Sequence, residues 1–155
     1  MRLIERLPAP VVRRLFNFFP CYRGTGGRVV AMDEEWRKVR VVLPLSWRTR
    51  NYVGSIFGGS MSGAVDPLYM LMLIKNLGPD YVVWDKAARI RFRRPARRTL
   101  TADFTLTEED IESIRQELTT RESCERTYEI ELKDPDGVVC AHVEKVIHLS
   151  RRKAP

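Results

Sequence analysis

The sequence predicts an α+β fold in which a curved antiparallel sheet wraps around one long central helix. Three observations carry this. Residues 58–77 read as a helix with no polar face, and such a helix must be enclosed. The segments after it alternate with a period of two and follow one another through short turns, which makes antiparallel neighbours. The chain has 155 residues, 44% of them hydrophobic, enough for one core and too few for two.

In chain order, Val11, Val12, Leu15, Phe16 and Phe19 recur at helical spacing, with Arg13, Arg14 and Asn17 between them and Pro10 in the first turn. This helix lies on its own domain or on a partner subunit, or it meets a membrane surface with its basic face. Residues 1–24 are read as an N-terminal helix and connector, and residues 25–155 as the main domain. Gly24, Gly26 and Gly27 mark a turn. Strands are expected from Gly27 to Met32 and from Trp36 to Leu43. The second places Val39, Val41 and Leu43 on one face, Lys38 and Arg40 on the other. Pro44 ends it, and a loop runs to Phe57.

Gly58 to Leu77 is the central helix, stopped by Gly78 and Pro79. Its first half, Gly58 to Val65, is built of residues small enough for other backbones to come very close. Tyr81 to Trp84 is a short strand. From Lys86 to Arg94, Ala88, Ile90 and Phe92 face one way and Arg89, Arg91 and Arg93 the other. Leu100, Ala102, Phe104 and Leu106 point inward from the next strand. Glu108 to Leu118 is a helix capped by Thr107. Tyr128, Ile130 and Leu132 define a strand that ends at the turn Asp134 to Gly137, and Val138 to Leu149 is the last strand. Such a sheet has a second face and an exposed edge, both commonly covered by dimerisation.

Lys and Arg outnumber Asp and Glu by 27 to 20, a net charge of +7 that favours an anionic partner. Few aromatics are interleaved with the arginines, which argues against a nucleic-acid groove. No apolar run approaches the ~20 residues of a membrane span. Arg2, Glu5, Arg6, Pro8, Pro10, Arg13 and Arg14 interrupt any signal-like segment, so a cytoplasmic protein is expected. Cys21, Cys124 and Cys140 are odd in number and form no C-x-x-C pair, which suits reduced thiols. His142, Glu144 and His148 share a strand parity, but the two histidines would stand about 20 Å apart, so no metal site is expected.

The main chemical signal is Asn51-Tyr52-Val53-Gly54-Ser55-Ile56-Phe57-Gly58-Gly59, followed seven residues later by Asp66. Here the sequence resembles the hot-dog thioesterase superfamily, especially its phenylacetyl-CoA thioesterase-like branch. Members carry an Asn, a His-Gly-Gly at the start of the central helix, and a carboxylate seven residues after the second Gly. Asn51, Gly58, Gly59 and Asp66 match in type and spacing, and the resemblance covers residues 25–149. The stretch Ile56 to Phe92, with Asp66-Pro67 and Val83-Trp84-Asp85-Lys86, looks similar to an uncharacterised, tetrameric acyl-CoA thioesterase-like branch.

The resemblance implies a hot-dog fold that hydrolyses, or at least binds, acyl-CoA thioesters. It also implies a homodimer or dimer of dimers in which the carboxylate acts across the interface. Carried onto this sequence, the catalytic set is Asp66, Gly59 and Asn51. Backbone N–H groups at the helix start polarise the thioester carbonyl, Asp66 activates water or attacks, and Asn51 orients water or the carbonyl. Phe57, Gly58 and Ser60 line the substrate, and Arg89, Arg91, Arg93 and Arg94 hold its phosphates, the first three spaced by about 6.6 Å along a strand. No cofactor is implied beyond the coenzyme A thioester itself. Position 57 is Phe where the family often has His, and Phe cannot polarise a carbonyl. The chain is therefore either an enzyme that dispenses with that His or a non-catalytic module for an acyl ligand or partner. The residues themselves leave two other readings open. Asp66 would also serve as the N-cap of a helix starting at Pro67. The arginine row would also serve as a solvated face, or pair with Glu129 and Glu131 across strands.

Overall fold

Six strands and five helices make up the computed structural model, which describes Ile4 and residues 7–152; Arg2, Glu5 and Arg6 fall outside it. Two short helices, α1 (Ala9–Phe18) and α2 (Pro20–Thr25), lead into β1 (Arg28–Met32) and β2 (Lys38–Leu43). The central helical segments α3 (Gly58–Val65) and α4 (Leu68–Leu77) follow, then β3 (Tyr81–Phe92), β4 (Leu100–Thr105), α5 (Glu108–Thr120), β5 (Ser123–Lys133) and β6 (Val139–Arg151). The strands form one sheet in the order β1-β2-β4-β5-β6-β3, every neighbouring pair antiparallel. This is the wrapped-helix α+β architecture that the patterning predicts.

The alternation of each strand decides which face meets the helix. On β4, Leu100, Ala102 and Phe104 are buried, with Leu106 just beyond, and on β6 Ala141, Val143, Ile147 and Leu149 are buried. They close over Met61, Ala64, Val65, Leu68, Met72 and Leu73, all 3% exposed or less. Each of the larger of these side chains (Val, Leu, Ile, Phe, Met) withdrawn from water contributes roughly 1.5–3 kcal/mol. Tyr69 of α4 stacks on Tyr128 at 4.1 Å and meets Phe104 edge-on at 5.3 Å, which ties the helix to β4 and β5.

The small residues of α3 do what their size allows. Tyr22 Oη donates to the Ala64 carbonyl at 3.1 Å, and a Cβ on Gly27 would stand 2.7 Å from that of Ala64. Thr107 caps α5 in a full capping box with Asp110.

Two expectations need correction. The central helix is interrupted: Asp66 and Pro67 keep right-handed dihedrals (φ −53°, ψ −54° and φ −85°, ψ −8°) but separate α3 from α4. Pro67 lacks the N–H that would continue the ladder. Tyr81–Trp84 and Lys86–Arg94 are not separate strands, because β3 runs through both with a bulge between Asp85 and Ala87. On α1, of the five residues in the apolar stripe, only Val12 is buried and Phe16 half-buried; Val11, Leu15 and Phe19 are exposed, as is Phe18 beside them. Within this chain Ala9 and Val12 are the buried residues of the helix.

Candidate active site

The motif residues frame the start of α3. Asn51 organises the loop before it: its Oδ1 accepts from the N–H groups of Val53 (3.1 Å) and Ser55 (3.0 Å), and its Nδ2 donates to Ser55 Oγ at 2.9 Å. The loop closes through a bridge between Arg50 and Ile56. Its exit delivers Phe57 in an extended conformation as the helix N-cap, with no side-chain cap. The helical ladder begins where Met61 N–H donates to Phe57 O at 3.2 Å, so the N–H groups of Gly58, Gly59 and Ser60 precede it. No acidic residue stands in this first turn to neutralise the positive end of the helix.

Two aromatic rings cover these glycines. A Cβ on Gly58 would come within 2.7 Å of the Phe92 ring, and one on Gly59 within 2.3 Å of the Phe57 ring. A side chain at either position would have to displace the ring above it. Both rings are 57% exposed. Beside them lies a cavity of about 370 Å³, walled by Asn51, Gly58, Met61, Phe92, Arg93 and Arg94 among others. Ser60 is buried within the turn and forms no part of that wall. A larger concavity of about 420 Å³, where α1 and α2 meet the β2–α3 loop, contains Arg23, Arg28, Trp47 and Arg48 but none of the motif residues.

The arginine row divides. Arg89 and Arg91 pair with Glu144 and His142 of β6, on the sheet face turned away from α3. Ile90 and Phe92 pair with Val143 and Ala141 on the inner face. Arg93 and Arg94 lie past the strand end, both N–H groups directed at Cys140 O (2.8 and 3.2 Å), and reach the cavity. Among the described residues, no ion pair joins Arg89, Arg91 or Arg93 to Glu129 or Glu131. Those glutamates pair instead with His142 (3.4 Å) and Lys133 (2.7 Å).

Asp66 stands at the other end of α3. Its dihedrals are helical, and α4 has no side-chain cap, so Asp66 is no N-cap. Its Oδ1 instead accepts a hydrogen bond from Lys145 Nζ at 2.7 Å. Lys145 projects from the inner face of β6, between Val143 and Ile147, and its Nζ also lies 3.1 Å from Asp85 Oδ1 on β3. That second approach is an ion contact without hydrogen-bond alignment, since Asp85 Oδ1 has no hydrogen-bond partner. Burial pushes the Asp85 carboxyl above its ordinary range, against the opposing pull of Lys145. Neither Lys145 nor Asp85 was singled out from sequence. The available signal was parity: Lys145 falls on the apolar face of β6, where a lysine has no reason to be without a counter-charge.

A curved antiparallel sheet around a central helix, with a glycine pair at the helix start, defines a hot-dog fold. A family described as a domain of unknown function (DUF4442) matches residues 10–149, and the chain belongs to it. No curated protein matches the chain. Among solved structures, PA5026 of Pseudomonas aeruginosa, a protein of unknown function described as a probable thioesterase, superposes with a TM-score of 0.82 at 24% identity, over 94% of this chain and 97% of its own. The thioesterase HI1161 of Haemophilus influenzae gives 0.68 at 15% identity, over 94% and 92%. OLEI01261 of Chlorobaculum tepidum, of unknown function, gives 0.72 at 12%, over 92% and 94%. These likenesses establish the shared fold.

Proposed function

We propose that the protein is an acyl-CoA thioesterase that works as a homodimer or a dimer of dimers. The observation that carries this is the pairing, on one helix, of an uncapped glycine N-terminus with a carboxylate seven residues on. The first suits a thioester carbonyl as negative charge builds on its oxygen. The second suits activation of water or direct attack. Asp66 is released for that task because its side chain does not serve as the N-cap of α4. The exposed rings of Phe57 and Phe92 offer an apolar wall for an acyl group, and Arg93 and Arg94 offer charge for phosphates.

The two groups lie about 10 Å apart along one helix at 1.5 Å per residue, too far to act on one carbonyl. A second chain that brings its own Asp66 to this Gly58–Gly59 solves the problem. β3 supports such pairing: it is a twelve-residue edge strand, with Trp84 and Phe92 exposed on it and Tyr52, Val53 and Phe57 exposed nearby in sequence around the motif. A reducing cytoplasm is the setting that fits three free thiols. No helix among the described residues is long and apolar enough to cross a membrane.

The deciding experiment is turnover of a panel of acyl-CoAs, with light scattering alongside. Hydrolysis by an oligomer is the expected result. Binding of acyl-CoA with no turnover would replace the enzyme with a non-catalytic acyl-binding module, the reading that Phe57 in place of His favours.

A further inference from the structure

Lys145 is the only charged residue buried among those described, 1% exposed. An ammonium persists at that depth only where counter-charge and hydrogen bonds compensate its lost hydration. Two carboxylates from two different elements do so, Asp66 at 2.7 Å and Asp85 at 3.1 Å. The hold on Asp66 is one-sided. Its Oδ1 is bound, its Oδ2 receives no hydrogen bond from any described residue, and its side chain stays 55% exposed. One oxygen is anchored to the sheet and the other is presented to solvent.

We infer that Lys145 is a positioning residue for the Asp66 carboxylate, fixing its rotation, with Asp85 as the second counter-charge that makes a buried lysine tenable. The inference rests on the thioesterase reading above and assigns Lys145 and Asp85 a part in it. Lys145 is enclosed and touches no substrate, so its influence passes entirely through Asp66. Asp85 moderates it. While Asp85 is ionised it competes for the ammonium, and once protonated it leaves that charge to Asp66.

The test compares the native chain with Lys145→Met, Lys145→Arg and Asp85→Asn in acyl-CoA hydrolysis across pH, with circular dichroism as the fold check. Lys145→Met is expected to lower kcat at least about 10-fold while KM stays within about threefold, the mark of an effect on the chemical step. Its acid limb should move to higher pH, because a positive charge beside the base is gone. Lys145→Arg should recover part of the rate. Asp85→Asn should move the acid limb the opposite way, because a competing negative charge is gone. A lysine that merely held the fold together would lower the melting temperature and leave kcat per folded molecule and the acid limb in place, which overturns the inference. Should Lys145→Met fail to fold, the direction of the limb in Asp85→Asn and the rate of Lys145→Arg decide the matter. If the native chain hydrolyses no acyl-CoA, the thioesterase reading falls and takes the inference with it. If the native chain hydrolyses and Lys145→Met matches it, the inference alone falls.

Discussion

The first turn of α3 and its last are built in opposite ways. At the first, Gly58 and Gly59 sit under two half-exposed rings beside an open cavity rimmed by arginines. Nothing charged is buried there. At the last, Ala64 and Val65 are fully enclosed, α2 hydrogen-bonds to the helix backbone, and a buried lysine grips the residue that follows. The open end has room for a ligand and backbone donors to offer it. The closed end has a carboxylate whose position is fixed from behind. A hydrolase needs both properties, and they conflict at a single point, since room for substrate is room for side chains to move. Separating them along the helix avoids the conflict, and the proposed pairing of two chains would rejoin them.

The comparison is broken most severely by removing the charge at the closed end. Asp66→Asn keeps a carbonyl that accepts from Lys145 but cannot act as a base. Acyl-CoA turnover should fall by ~10²–10⁴, the usual range for lost general-base catalysis, with the fold retained by circular dichroism. Full activity in this variant would remove Asp66 from the chemistry.

The packing of the closed end is tested by Gly27→Ala. The added Cβ would stand 2.7 Å from the Ala64 Cβ and 3.2 Å from its Cα, and the backbone beneath cannot swing aside. Overpacking of this kind should cost about 1–3 kcal/mol in urea denaturation. The same substitution at Gly59 meets only a half-exposed Phe57 ring that can rotate away, so stability should change less and activity more.

The open end is sharpened by dividing the arginines. Removing both Arg93 and Arg94, which line the cavity, should raise KM for acyl-CoA about 10-fold, equivalent to the loss of one charge-assisted hydrogen bond. Removing Arg89 and Arg91, on the far face of the sheet, should leave KM unchanged. Equal effects from both pairs would mean that the ligand does not reach the cavity from the α3 side.

The smallest effect concerns Asp85. Its folded-state pKa is raised by burial, so the folded chain holds that proton more tightly than the unfolded chain does. The stability this contributes is present below the ordinary carboxylate range of about 3.9 and is lost as pH rises through the folded value. Asp85→Asn does not titrate. Across that window the native chain should therefore lose stability relative to the variant, which paired denaturation curves at several pH values will show.

How much of this could be read from the sequence depends on whether the information is local. The burial of the apolar helical stretch, the inward set Leu100, Ala102, Phe104 and Leu106, and the Thr107 cap are matters of period and neighbouring residues, and they appear as expected apart from the break at Asp66 and Pro67. The glycine pair at the start of a helix was legible for the same reason. The Lys145 site was not. It joins residues 66, 85 and 145, and nothing local connects them. Counting by twos back from Ala88 puts Lys86 on the inner face and Asp85 on the outer. The structure has the reverse, because a bulge after Asp85 shifts the count by one. The α1 stripe poses a different problem. Period alone cannot say which side of a short, widely apolar helix meets the domain.

That bulge makes β3 a strand with one residue to spare. Asp85 opposes Ile147 and Ala87 opposes Val146, with Lys86 held between them and tied to Glu125 at the surface. In a strand without the extra residue, Lys86 would itself oppose Ile147 and point at Lys145, setting two ammonium groups together in the interior. Loss of Lys86 should therefore disturb the pairing less than a loss from β6, which pairs residue by residue with β3 from Ala141 to Arg151. Natural length variation in this domain should accordingly collect at the bulge and spare the strand that carries the lysine.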